Sequence, residues 1–433
     1  MLLHVPQLRS WLVCSHVHDP HILCPQCDLL VAIPEIAVGQ KAKCPRCHTT
    51  LTSRWKEPRR RPIAYAVSAL FMLLLSNLFP FVNMKVAGLG SEVTLIQIPQ
   101  VLVSDDYASM ASLFMILVQL MPALGMIFII ILCQGTSIPS HWQISIARNY
   151  FRLKAWCMVE IFLAGVLVSF VKLMAYGDVG VGTSFYPFVL FCILQLRAFQ
   201  CTDRYWIWQQ VARAPKLEMP LRVGESGLSQ GLRSCHCCMA ILPVDQKQCG
   251  RCDTSGHARR KNSLQWTMAL LITSIFLYIP ANLLPIMITQ VLGTPMPSTI
   301  MAGVVLLWSE GSYPVAMVIL IASIMVPTMK MIAIGWLCWD ANSNKEIDRE
   351  RLHVIYEVVE FVGRWSMIDV FVIAVLSALV RMGQLMSIYP DIGALLFASV
   401  VILTMFAAMT FDPRLIWDRA VMKSAKEPQD GGK

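Results

Sequence analysis

Charge is what this sequence has least of. Asp, Glu, Lys and Arg make up 15% of its 433 residues, against 56% hydrophobic residues and a mean hydropathy of +0.58. That is too apolar for a soluble protein of this length, which has a charged surface to clothe. Also missing are a G-x-x-x-x-G-K-[ST] phosphate loop, an H-E-x-x-H helix and a dinucleotide fingerprint. Without them an ATPase or a zinc hydrolase has no residues to stand on, and no enzyme is expected. No cleavable signal precedes the first long apolar run, because the short run at 11–13 is broken by polar residues and histidines. That first long run is expected to target the chain itself.

What is plentiful is apolar sequence. Stretches near 20 residues recur at 63–83, 108–133, 157–176, 184–202, 266–288, 314–338, 366–382 and 392–411. Each can cross a hydrocarbon core of about 30 Å as a helix rising about 1.5 Å per residue. With the N-terminus cytoplasmic, Lys85 is the one Lys or Arg in the outward segments, while Arg59, Arg60, Arg61, Arg259, Arg260 and Lys261 stand just before spans 1 and 5. This is the positive-inside bias, and it puts both termini in the cytoplasm. The net charge of +9 then reflects topology and contact with anionic lipid rather than a nucleic-acid surface.

The chain repeats itself. A shift of 205 residues lays SNLFPFV (76–82) on ANLLPIM (281–287), Ser104-Asp105 on Ser309-Glu310 and Pro122 on Pro327. A shift of 209 lays Trp156 on Trp365, Glu160 on Asp369, Lys172 on Arg381, Asp203 on Asp412 and Trp208 on Trp417. An even number of spans per copy makes the repeat parallel, with its pseudo-twofold axis along the membrane normal. The expected fold is an all-α polytopic membrane protein of eight transmembrane helices in two parallel four-helix repeats. Its parts are an N-terminal segment with a first ribbon (1–62), module 1 (63–210), a linker with a second ribbon (211–262), module 2 (263–420) and a tail (421–433).

Each module opens with cysteines. Cys24-Pro-Gln-Cys27 is followed after 16 residues by Cys44-Pro-Arg-Cys47, and Cys235-His-Cys-Cys238 after ten by Cys249-Gly-Arg-Cys252. Two C-x-x-C knuckles at such spacing are what a tetrahedral Cys₄ site needs. On the reducing side of the membrane disulfides are disfavoured, so two small cytoplasmic zinc ribbons are the first reading. Rubredoxin-like iron and a thiol switch are the alternatives. Cys237 adds a fifth thiol to the second cluster, and His48, His236 and His257 are possible replacements for a thiolate. A closed four-ligand site leaves no position for chemistry, so the ribbons read as docking or regulatory modules that need metal to fold.

Few charges enter the apolar runs. MVEIFLAGVLVSFVKL (158–173) carries Glu160 and Lys172, twelve residues and about 18 Å of helix apart, too far to pair on one span. Lys330, within IMVPTMKMIAIGWLCW, must face a partner or a watered cavity. Opposite span directions bring it to the depth of Asp369, and module 1 has Gly125 at its position. One amine shared by two inequivalent acids, Glu160 and Asp369, is a proton-handling group; a static ion pair locking the bundle is the alternative. Ser366 and Thr404 extend the hydrogen bonds of such a relay. Lys172 and Arg381 are expected to anchor the outer interface.

These stretches, with LFMLLLSNLFPFVNM, LLWSEGSYPVA and EFVGRWSMIDVFVIAVLSALVRMG, resemble the paraquat-inducible protein A family over nearly the whole chain. One departure is Cys249-Gly-Arg-Cys252, where the family favours C-P-x-C. The resemblance implies the inner membrane of a Gram-negative bacterium, a periplasmic tunnel partner of the MCE type, an outer-membrane lipoprotein beyond it, and phospholipid as the substrate, in the service of envelope integrity. Three other functions stay open on the residues alone: a proton-coupled efflux pump for small molecules, a zinc- or thiol-based redox sensor, and a passive clamp for the MCE partner.

Overall fold

The computed structural model describes residues 21–418 except 87–88, 136–137, 174–177, 216, 218, 292–293, 310, 312, 343–348 and 382–385. The first ribbon is two hairpins, β1 (His21–Leu23) with β2 (Leu30–Ala32) and β3 (Lys41–Lys43) with β4 (Thr50–Ser53). Then come α1 (Arg60–Leu78), β5 (Val82–Val86), β6 (Leu89–Val93), α2 (Gln97–Ser104), α3 (Ala108–Phe114), α4 (Met121–Gln134), α5 (Ser140–Leu153), α6 (Val159–Leu173), β7 (Asp178–Val181), α7 (Phe185–Cys201) and α8 (Arg204–Val211). The second ribbon adds the hairpin β8 (Leu232–Ser234) and β9 (Ile241–Pro243). The second half repeats the order: α9 (Ser263–Leu283), β10 (Met287–Val291), β11 (Thr294–Ser298), α10 (Ile300–Ser309), α11 (Tyr313–Leu320), α12 (Val326–Asn342), α13 (Arg349–Trp365), α14 (Ile368–Leu379), β12 (Met386–Pro390) and α15 (Ile392–Thr410).

The chain is mostly helical, but not all-α. The segments expected as loops between spans fold into two three-stranded antiparallel sheets, ordered β6-β5-β7 and β11-β10-β12. In each, a hairpin is completed by a strand that follows the third span of its module. Strands of four or five residues without clean alternation leave little periodic signal, and the pairing is fixed only when distant helix ends meet. Among the described residues seven helices are long and apolar enough to cross a membrane, and an eighth if α7 and α8, bent by 65°, count as one.

Two spans start earlier than hydropathy suggests. The apolar runs expected at 157–176 and 366–382 begin inside longer helical stretches, Ser140–Phe170 and Arg351–Leu379. Each stretch is interrupted at an equivalent point, by a 3₁₀ turn (Lys154–Trp156) ahead of α6 and by two residues ahead of α14. The amphipathic pieces α5 and α13 carry too many polar residues to register as membrane sequence by mean hydropathy. A second pair of irregularities is matched to proline. Pro122 and Pro327 have no N–H to give the preceding turn and crowd its carbonyl. Just before each the helix widens into a π-turn, with Met121 N–H bonded to Ile116 O and Val326 N–H to Ile321 O.

The halves meet along α6 and α14. Gly165 lets the helices touch: a Cβ there would lie 3.3 Å from Phe371 Cβ and 3.4 Å from the Ile368 carbonyl. Phe162 and Phe114 set their rings edge-on to Phe371 at 5.6 and 6.5 Å, joining one aromatic core across the seam. Gly165→Val should therefore overpack the seam and lower stability by about 1–3 kcal/mol, read as a lower unfolding midpoint of the detergent-solubilised chain, whereas Gly250→Ala, with open space at its Cβ, should not.

Candidate functional site

The cysteines come together as their spacing requires. Cys24 Sγ lies 3.4 Å from Cys47 Sγ and Cys27 Sγ 3.5 Å from Cys44 Sγ; Cys235–Cys252 and Cys238–Cys249 are each 3.5 Å apart. Within each quartet all four sulfurs lie within 4.8 Å of one another and all four residues are buried. A tetrahedral ion with metal–sulfur bonds of about 2.3 Å has sulfur–sulfur edges of about 3.8 Å, so the quartets fit a four-coordinate thiolate metal such as zinc. Cys237 is not in the second quartet, and among the described residues neither quartet takes a histidine.

The ribbons are seated crosswise. The first packs Ile22, Leu51 and its cysteines against Leu352, Tyr356, Phe411 and Trp417 of the second half, with the Arg46 guanidinium 4.3 Å over the Trp417 ring. The second packs on Ala147 and Trp208 of the first half, where Arg204 Nε donates to Cys237 O at 2.9 Å and Arg251 Nε to Ala212 O at 2.9 Å. The repeated acids Asp203 and Asp412 fasten the ribbon exits: Ser53 N–H donates to Asp203 Oδ2 at 2.8 Å and Arg260 N–H to Asp412 Oδ2 at 3.2 Å.

Arg259 ties all of this together. Its guanidinium bonds Asp28 of the first ribbon at 2.8 Å and both oxygens of Asp418 at 2.5 and 2.6 Å. Burial works against its charge, yet the hydrogen bonds to Asp418 and the field of Asp28 outweigh it and raise its pKa above the usual value. Arg414 reaches both knuckles, donating to Pro25 O at 3.2 Å and lying 3.1 Å from His236 Nδ1. Sequence reading missed Asp28, Arg259 and Asp418 as a set. Asp28 beside Cys27 was the available signal, but 231 and 159 residues separate Arg259 from its partners.

Within the bundle Lys330 is 2% exposed. Its Nζ donates to Thr404 Oγ1 at 3.0 Å and towards Gly363 O at 3.4 Å. Among the described residues no carboxylate lies within ion-pair distance of it. Ser366 is buried in the break between α13 and α14, with no hydrogen-bond partner for its hydroxyl among the described residues. Glu160, half-buried in the first turn of α6, has Arg364 of α13 as the cation acting on it. Asp369, in the first turn of α14, lines a cavity of about 100 Å³ together with Ser323, Ile286, Ile300, Ile319 and Ile388. The cavity lies between α14, α10 and the sheet β11-β10-β12, and hydropathy gave no sign of it. Arg381 pairs with Asp105 at the end of α2 and stacks 4.6 Å from the Tyr389 ring, so it bridges the two halves. The side chain of Lys172 lies outside the described residues.

Known proteins give a consistent picture. The family model described as paraquat-inducible protein A matches residues 60–212 and again 264–421. An Escherichia coli K12 protein named intermembrane transport protein PqiA is 67% identical over 408 residues, 94% of this chain and 98% of its own length. The lipophilic envelope-spanning tunnel protein A of the same organism is 29% identical over 91% of this chain and 90% of its own. A probable intermembrane transport protein of Haemophilus influenzae is 27% identical over 91% and 95%. No solved structure matches.

Two outcomes test the ribbon assembly. Elemental analysis of the purified chain should find about two equivalents of a thiophilic metal, falling to about one in Cys47→Ser. Arg259→Ala, which strands two buried carboxylates, should cost about 3–5 kcal/mol in a denaturant titration of the full chain.

Proposed function

The chain belongs to the paraquat-inducible protein A family, and from that premise we propose that it is the inner-membrane subunit of an intermembrane lipid transport system. In this reading it loads phospholipid into, or receives it from, a periplasmic tunnel protein of the MCE type, which connects onward to an outer-membrane lipoprotein. In this reading eight spans in two parallel repeats have both ribbons and both termini on the cytoplasmic side, which the clustering of basic residues supports, and the two small sheets on the periplasmic side against the partner.

The observation that carries the reading is the cavity above Asp369. Its wall is mainly isoleucine and leucine, which suits an acyl chain, with the hydroxyls of Thr289, Ser298 and Ser323 and a single carboxylate in the first turn of α14. Elsewhere in the same half α12 and α15 hold Lys330 and Thr404 in contact, and Ser366 lies in the break just ahead of the helix that carries Asp369. A buried amine on α12 and a buried acid on α14 are polar groups in an apolar bundle, and such groups mark proton paths. Proton uptake and release at Lys330 and Asp369 of module 2, with Glu160 as the acid of module 1, would shift the modules and meter lipid at the cavity. Each proton that moves down the potential contributes about 2.3 kcal/mol per 100 mV.

Transfer of a fluorescent phospholipid from proteoliposomes containing the full chain and its tunnel partner tests this. Lys330→Ala and Asp369→Asn should each slow transfer at least about tenfold, the equivalent of about 1.4 kcal/mol, without loss of folded protein. Undiminished transfer in both would remove the proton step, and is what a passive clamp would give.

A further inference from the structure

Module 2 makes room for its buried amine with a glycine. A Cβ at Gly363 would lie 3.2 Å from Lys330 Cε and 3.3 Å from its Nζ, so α12 delivers a lysine into a notch on α13. The repeat offsets of 205 and 209 put Gly125, on α4, at the place of Lys330, and Lys154, at the break after α5, at the place of Gly363. Lysine and glycine have exchanged helices. Phe199 stands where module 2 has Ala408, and its ring occupies the space a side chain on Gly125 would enter, 3.6 Å from the built Cβ. The Lys154 Nζ donates to Phe199 O at 2.9 Å and lies 5.5 Å from the centre of that ring. Module 1 therefore does hold an amine at the helix break, supplied from the opposite side.

The repeat offset of 209 also supplies counterparts for its surroundings. Gln195 occupies the place of Thr404. It is 1% exposed, and neither its Oε1 nor its Nε2 has a hydrogen-bond partner among the described residues. It sits on α7 one turn from Cys192, whose Sγ faces Val159 O at the start of α6, and one turn from Phe199. Cys157, the counterpart of Ser366, is 3.8 Å from the Cβ built on Gly125 and lies in the fields of both Glu160 and Lys154. The other charged groups acting on Lys154 are Asp203 and Arg204. A buried amide left without partners costs about 1–3 kcal/mol per group, so native interiors fill such sites, commonly with ordered water.

We propose that module 1 contains a second site for water and the proton it carries, in which half-buried Lys154 plays the part of Lys330, buried Gln195 that of Thr404 and half-buried Glu160 that of Asp369. A proton leaving the Glu160 carboxyl along this water becomes bound to the Lys154 amine, giving a carboxylate and an ammonium. Gln195 accepts one hydrogen bond and donates another, and is unchanged. The proposal rests on the proton step at Lys330 and extends it to both halves.

The same transfer assay tests it on the full chain with its partner, with unfolding midpoints taken in parallel. Lys154→Met and Gln195→Leu should each slow transfer at least about tenfold, about 1.4 kcal/mol, with midpoints close to the parent. Lys154→Arg should slow it equally, because guanidinium keeps a donor for Phe199 O but does not release its proton. Normal transfer with Arg at 154 would make the lysine a structural tether and overturn the proposal, as would normal transfer in Lys154→Met. If Lys154→Met does not fold, Gln195→Leu, which alters no charge, decides between the two by the same criterion. Impaired Lys330→Ala beside normal Lys154→Met and Gln195→Leu sinks only this second site; normal Lys330→Ala sinks the proton step in both halves.

Discussion

Polar groups that enter hydrocarbon must be answered from within the protein, and this one constraint organises the bundle. Lys330 is answered by a hydroxyl on α15 and a carbonyl on α13, in a notch that only glycine leaves open. The helix irregularities obey the same rule. Each widened turn lies just ahead of a proline that has no donor to offer, and each break in the third span lies just ahead of an acid. Because lipid supplies neither donors nor acceptors, such departures survive where neighbouring helices shelter them, which is where a transporter has use for them.

Outside the membrane the same chain solves a different problem. Ribbons of about thirty residues have too little core to hold themselves, and here they lean on thiol quartets able to hold a metal, on each other and on the ends of the helices. Seating each ribbon on the module it does not lead ties the halves together at one face, as Arg381 and Asp105 tie them at the other. The Gly165 contact between α6 and α14 lies between these two fastenings. A movement of one module against the other would be felt at all three places.

Duplication and divergence explain why the halves look alike in outline and differ at their centres. The acid, the break, the π-turn and the junction aspartate recur in both. The cavity lined by Asp369 is described in the second half, built from small and branched side chains beneath the sheet. The exchange of lysine and glycine between facing helices is a compensated pair: an added side chain on one wall is accommodated by a missing one on the other, and close packing forbids either change alone.

The sequence by itself determined that the chain lives in a membrane, that it is a tandem repeat, and where the eight thiols of the two quartets and the intramembrane charges Lys330, Asp369 and Glu160 fall. Composition, spacing and periodicity are local or regularly recurring properties, and they survive being read along a line. Only the tertiary structure decided that the loops between spans pair as sheets, that Asp28 and Asp418 converge on Arg259, and that Lys330 meets Thr404 directly while Asp369 faces a cavity. These depend on which helix faces come together and at what depth, and that is set by packing between segments up to hundreds of residues apart.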